Sequence, residues 1–169
     1  MANGTNTEGE AARATDAAPS GERGIFEQLK NEHARVLAMM RRTAGTNDPE
    51  ARRELLAEAR KELLAHTRGE ERALYPALRE LDETSDLVEE ALEDHADIEQ
   101  LLDRLRDMDA GSEEWSEIFE ELLLVVEDHV DQEENDLFPL AEERLDTEAA
   151  GRIEERYAKS RRELLRRVA

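Results

Sequence analysis

The chain holds four histidines, His33, His66, His95 and His129, and two of them open a His-x-x-x-Glu motif, His66 with Glu70 and His129 with Glu133. Imidazole nitrogen and carboxylate oxygen are donors for proton transfer and for ligation of iron, manganese or zinc. No cysteine is present, which excludes thiol catalysis, disulfides and sulfur-ligated clusters. On a helix, residues four apart share a face one turn on, so each Glu projects beside its His. Every histidine also falls on an apolar stripe: His33 between Leu29 and Val36, His66 after Leu63, His95 between Leu92 and Ile98, His129 after Val126. The register therefore sends four imidazoles and two carboxylates into one core. Two buried carboxylates are costly without compensating charge, and no Lys or Arg lies on these stripes beside them. A metal supplies that charge. With all four histidines so committed, none is left for a Ser-His-Asp arrangement, and no glycine-rich phosphate loop is found.

An internal repeat organises these residues. The segment His66-Thr-Arg-Gly-Glu70-Glu71-Arg-Ala-Leu74-Tyr75-Pro76 returns as His129-Val-Asp-Gln-Glu133-Glu134-Asn-Asp-Leu137-Phe138-Pro139, an offset of 63, and the lone histidines His33 and His95 lie 62 apart. This predicts a duplicated helical hairpin. Glu71 and Glu134 are expected as solvated neighbours of the ligands. Tyr75 and Phe138, like Phe26, Met39, Met40, Trp115 and Phe119, are expected to pack, with the alternative for Tyr75 that its phenol lies near the metals.

Apolar residues recur at helical spacing from Phe26 to Met40, Leu56 to Ala77, Val88 to Leu105 and Ile118 to Leu140, and no stretch alternates with period two. The punctuation agrees: Gly45 closes the first helix, Asp48-Pro49 caps the second, Thr84 or Ser85 the third, and Gly111-Ser112 separates the third from the fourth. Short linkers force antiparallel neighbours, so the expected fold is all-α, an up-down-up-down four-helix bundle over residues 22–146. Residues 1–21 are polar and small, and are expected to be a disordered tail. Residues 147–169 carry seven basic and four acidic side chains; they are expected to form a basic fifth helix that packs on the bundle through Ile153, Tyr157, Leu164 and Leu165.

His33, His66-x-x-x-Glu70, His95 and His129-x-x-x-Glu133 together resemble the signature of the hemerythrin-like (HHE cation-binding) domain, over residues 25 to about 143. The resemblance implies two non-heme iron ions, oxo- or hydroxo-bridged, with Glu70 and Glu133 as bridging carboxylates and the four histidines as terminal ligands. The chain departs from oxygen-carrying hemerythrins at Glu99, where they have a second His four residues after the third motif's histidine. It also offers Glu133 at i+4 and Glu134 at i+5, where they end in His-x-x-x-x-Asp; Glu133 is preferred because it repeats Glu70 in register. Two six-coordinate irons need about 12 bonds, of which the His, the bridging Glu and a bridging oxygen supply about ten. Glu99 as a ligand leaves one position open and favours Fe(III); Glu99 outside leaves about two, open to peroxide or nitric oxide.

The expected function is thus binding or turnover of a small oxidant, hydrogen peroxide, dioxygen or nitric oxide, with catalase-like chemistry among the possibilities. The alternatives are an iron- or oxygen-sensing module whose metal-dependent folding a partner reads, and a metal-free scaffold. With 44 acidic against 23 basic residues the formal charge is −21, which argues against nucleic acid and against an anionic membrane as partners. The longest apolar runs, Val36–Met40 and Leu122–Val126, are too short to span a bilayer. No secretory signal is recognisable, so the expected location is cytoplasmic.

Overall fold

The computed structural model describes residues 24–168; the tail expected over residues 1–21 lies outside them. Helix α1 (Ile25–Ala44) is followed by α2 (Pro49–Ala73), a single turn α3 (Tyr75–Leu78), α4 (Ser85–Asp107), α5 (Glu113–Gln132), a π-helical turn (Glu133–Leu137), α6 (Phe138–Arg144) and α7 (Thr147–Val168). No strand occurs among the described residues. Four of the five long helices close a ring in which α1 touches α2 and α5, and α4 touches the same two. This is the expected antiparallel bundle, with α7 laid along α2 and α1.

The helix starts follow local chemistry. The Asp48 carboxylate accepts from the Glu50 amide with Pro49 in the first turn, and the Ser112 hydroxyl accepts from the Trp115 amide. Thr84 stands at the expected N-cap of α4, but its hydroxyl donates to the Leu78 carbonyl rather than capping. Pro76 and Pro139 lack the amide that would continue α2 and α5, and the two copies absorb the loss differently. In the first, α2 breaks at Leu74 and the Arg72 carbonyl accepts from the Arg156 guanidinium of α7. In the second, the chain widens into the π turn, where the Phe138 amide reaches the Glu133 carbonyl. The sequence pattern did not anticipate this turn.

The buried residues divide into two apolar clusters, and the histidine layer lies between them. Val36, Leu63, Ile98 and Val126 belong to one cluster; Leu29, Ala73, Ala91 and Leu137 belong to the other. At the far end of the first cluster, Arg52 ties two loops together. Its guanidinium donates to the carbonyls of Thr46 and Ala110, to Ser116 Oγ and to Asn47 Oδ1, and sits 5.0 Å from the Trp115 ring. Truncation strips the buried Ala110 carbonyl of its guanidinium donor and removes the contact with Trp115, so Arg52→Ala is expected to cost about 2 kcal/mol in denaturant unfolding. Arg52 lies 14 residues from His66 along α2, about 21 Å of helix, so metal stoichiometry should not change; a lowered stoichiometry would show the two ends to be coupled.

Candidate metal centre

The bundle alternates inward steps of three and four residues, and this alternation selects the ligands. After His66 and His129 the next inward step is four, which brings in Glu70 and Glu133 at 0% exposure. After His33 and His95 it is three, which brings in Val36 and Ile98. Glu99 therefore falls on the flank of α4, where it is 44% exposed and ion-paired with Arg68. The structure does not bring Glu99 to the cluster. It does bring together the other six expected ligands.

Those six form two groups that share one carboxylate. His33, His66, Glu70 and Glu133 each offer a ligand atom within 4.8 Å of the others, and so do Glu70, His95 and His129. The Nε2 atoms converge: His33 lies 3.2 Å from Glu133 Oε2, His66 3.3 Å from Glu70 Oε1, His95 3.6 Å from Glu70 Oε2, and His129 3.5 Å from Glu133 Oε2. His95 and His129 present Nε2 to each other at 3.2 Å. Nε2 of His33 and His66, both oxygens of Glu70 and Oε2 of Glu133 are buried without a hydrogen-bond partner. Buried polar atoms are rarely left so, and five of them facing one another fit a cation. A donor set of nitrogen and oxygen without sulfur suits iron, manganese or zinc. The residues present fit a pair of such ions.

Each Nδ1 meets a second carboxylate, and the pattern follows the duplication. The residue before each lone histidine holds the second histidine of its own half, with Glu32 Oε2 3.1 Å from His66 and Asp94 Oδ2 3.5 Å from His129. The residue after each ligand Glu holds the lone histidine of the other half, with Glu71 Oε1 3.0 Å from His95 and Glu134 Oε1 2.8 Å from His33. Such contacts orient a ring and aim its free nitrogen at the metal. Glu71 and Glu134 are therefore more than solvated neighbours, and Glu134 is not the inward carboxylate. Neither Glu32 nor Asp94 was singled out from the sequence.

Two tyrosines also enter the site. Tyr75, expected to pack, with its phenol near the metals as the alternative, donates its hydroxyl to Glu133 Oε1 at 2.8 Å and lies 3.2 Å from His95 Nε2. Tyr157 of α7 donates to Glu32 Oε2 at 2.6 Å, and Arg161 Nε donates to the same oxygen at 3.0 Å. Phe138 packs as expected, 5.9 Å from the His33 ring and parallel to it.

The metal-free electrostatics show how much positive charge the cluster needs. Burial alone would lower the pKa of His66, but the Glu70 and Glu32 carboxylates outweigh it and raise it to about 10. His129 is raised in the same sense, against burial, by Glu133, Asp94 and Glu70. Burial pushes Glu133 up, yet His129 and His33 pull it down to about 2. Burial and the carboxylates around them hold both tyrosine hydroxyls protonated, with Glu133 foremost at Tyr75 and Glu70 at Tyr157. Protons on His66 and His129 thus balance part of the buried carboxylate charge.

Comparison with known proteins agrees with this geometry. A curated relative, a DNA nickase from Nostoc sp., is 23% identical over 134 residues, which is 79% of this chain and 38% of that protein. The chain therefore spans well under half the length of this relative. Among solved structures, a hemerythrin HHE cation binding domain-containing protein from Mycobacterium kansasii superposes with a TM-score of 0.74 at 23% identity, over 85% of this chain and 88% of that one. At that identity the likeness speaks for the fold. The hemerythrin HHE cation binding domain family matches residues 24–141, and these residues include all six clustered ligands; the chain belongs to that family.

Proposed function

We propose that the bundle holds two iron ions and binds or turns over a small oxidant: hydrogen peroxide, nitric oxide or dioxygen. One observation carries this reading. Two fully buried carboxylates stand among four imidazoles whose Nε2 atoms face them, in two groups joined through Glu70. Iron, when bound, supplies a change between Fe(II) and Fe(III) and an acceptor position for an oxygen or nitrogen ligand.

The chain's own residues set what can happen there. Outer carboxylates hydrogen-bond three of the four rings, His33, His66 and His95, so those ligand directions are set in advance, while Asp94 stands 3.5 Å from His129. Leu74, Leu137 and Phe138, at 0% exposure, keep bulk water from the proline side of the layer. Tyr75 holds a proton on its hydroxyl beside His95 and Glu133, placed to donate a hydrogen bond to an oxygen of a bound small molecule. With Glu99 on the surface, about two coordination positions are left for exogenous ligands, more than an oxygen carrier needs. This supports peroxide or nitric oxide over reversible dioxygen carriage. Nucleic acid has no part in the reading, because a chain of charge −21 repels phosphate.

The test is elemental analysis of protein purified without added metal, with an optical spectrum of the same sample, followed by peroxide and nitric oxide assays. About two irons per chain with near-ultraviolet oxo-to-iron bands are expected. Zinc alone after anaerobic iron reconstitution, or no metal at all, would overturn the reading. A long-lived, reversible oxygen adduct in stopped-flow spectra would keep the iron pair and replace peroxide or nitric oxide handling with oxygen carriage.

A further inference from the structure

The duplication provides an internal control, because two copies of one motif should give two equivalent metal positions. The surroundings break that equivalence at two places. Where the first copy has Gly69 the second has Gln132. A Cβ on Gly69 would lie 2.6 Å from the Tyr157 ring, so only the first copy lets a fifth helix lie this close. Through that opening α7 brings Tyr157 and Arg161 onto Glu32, which is 4% exposed and holds His66. The matching residue in the second copy, Asp94, is 34% exposed and stands 3.5 Å from His129 Nδ1, which makes no hydrogen bond.

The second break is Tyr75, whose counterpart is Phe138. Its hydroxyl occupies Glu133 Oε1 and reaches His95 Nε2. Glu133 thus keeps Oε2 for His33 and His129, and the His95 and His129 group counts only Glu70 as a carboxylate. The first position has four ligand side chains on a fixed frame; the second has three, and a phenol sits on two of the atoms it needs.

We propose that the two metal positions load unequally, the His33–His66 position first and tightly because α7 clasps Glu32 through Tyr157, the His95–His129 position second because Tyr75 caps it. Tyr157 is a positioning residue, acting on the metal through Glu32 and His66. Tyr75 yields its contacts with Glu133 and His95 when the second ion enters, which leaves the exchangeable position next to the phenol. This inference rests on the two-metal reading above.

Anaerobic titration of the chelator-treated full chain with cobalt(II), followed by calorimetry and visible absorption, tests it. Two steps at least about tenfold apart in affinity are expected, and His95→Ala should remove the weaker and keep the tighter. Tyr157→Phe keeps the ring and deletes the hydroxyl, and should weaken the tighter step about tenfold while leaving the weaker unchanged. Tyr75→Phe should strengthen the weaker step and leave the tighter. If circular dichroism shows that Tyr157→Phe loses helix, Arg161→Gln carries the same expectation for the tighter step. Two ions bound in one indistinguishable step, or a Tyr157→Phe variant that moves both steps or neither, overturns unequal loading and leaves the two-metal reading standing. Fewer than two cobalt ions on the unmodified chain overturns the two-metal reading itself.

Discussion

Glu70→Gln is expected to abolish the proposed paired metal binding, leaving at most one ion per chain where two are expected on the unmodified chain, while Glu99→Gln is expected to keep both. Glu70 is the one residue common to the two ligand groups, and its oxygens face His66 at 3.3 Å and His95 at 3.6 Å. An amide exchanges one of those oxygens for an NH2 group, which has no lone pair to offer a cation and would point hydrogens at an imidazole nitrogen. It also leaves two dications with a single carboxylate inside the ligand cluster, Glu133. Changing a residue that only orients a ligand typically costs 10- to 100-fold in affinity, so losing a shared ligand should cost more than about 100-fold. The fold should survive, because neither Glu70 oxygen makes a hydrogen bond in the metal-free chain and the His66 ring, whose proton the Glu70 charge favours, can become neutral when that charge is removed. Elemental analysis and denaturant unfolding of the same preparation separate the two effects. A Glu70→Gln chain that still holds two ions would refute Glu70 as the shared ligand.

That the six clustered side chains could be picked out from the sequence has a physical cause. A His-x-x-x-Glu pair spans one inward step of four, so motif and apolar stripe point the same way, and the duplication states the pattern twice. Glu99 stands outside the cluster for the same reason inverted: four residues after His95 is the spacing of a ligand, but in that helix the inward step is three and Ile98 takes it. The outer carboxylates were harder. Glu32 and Asp94 precede a histidine directly, and neighbours in sequence point about 100° apart on a helix, so their contacts are with a different helix. A trace was present, since acids stand at matching places in both copies, Glu32 with Asp94 and Glu71 with Glu134. Tyr157 left no such trace, because α7 lies outside the duplication. Its one signature is Gly69 standing opposite Gln132. The π turn depends on how the chain relieves Pro139, which the first copy solves with a break instead.

Raising the pH should weaken the metal-free fold and strengthen metal binding across the same interval, about pH 6.5 to 10. His66 is raised from 6.5 to about 10 in the folded chain, and His129 is raised in the same sense. A group whose folded pKa is raised contributes stability that is complete below its unfolded pKa and is lost as pH climbs through the folded one. Glu133, drawn down from 4.5 to about 2, contributes stability that is present above pH 4.5 and lost as pH falls toward 2. The chelator-treated chain should therefore be most stable between about pH 4.5 and 6.5, with a denaturation midpoint that declines steadily above that. Few other groups titrate in the upper interval, since the chain has no cysteine and three lysines, so the slope reports the imidazoles. Metal enters through Nε2 and must displace the protons that stand in for it. Calorimetric titration with zinc at pH 7, in buffers of different ionisation enthalpy, should show proton release, about one proton from His66 and a further contribution from His129, whose pKa is raised in the same sense. The increment in melting temperature on adding metal should accordingly be larger at pH 8.5 than at pH 6. A metal-free midpoint that stays flat from pH 6 to 9, with no proton release, would mean that the histidines are neutral in the empty site. Something other than protons would then have to balance Glu70 and Glu133.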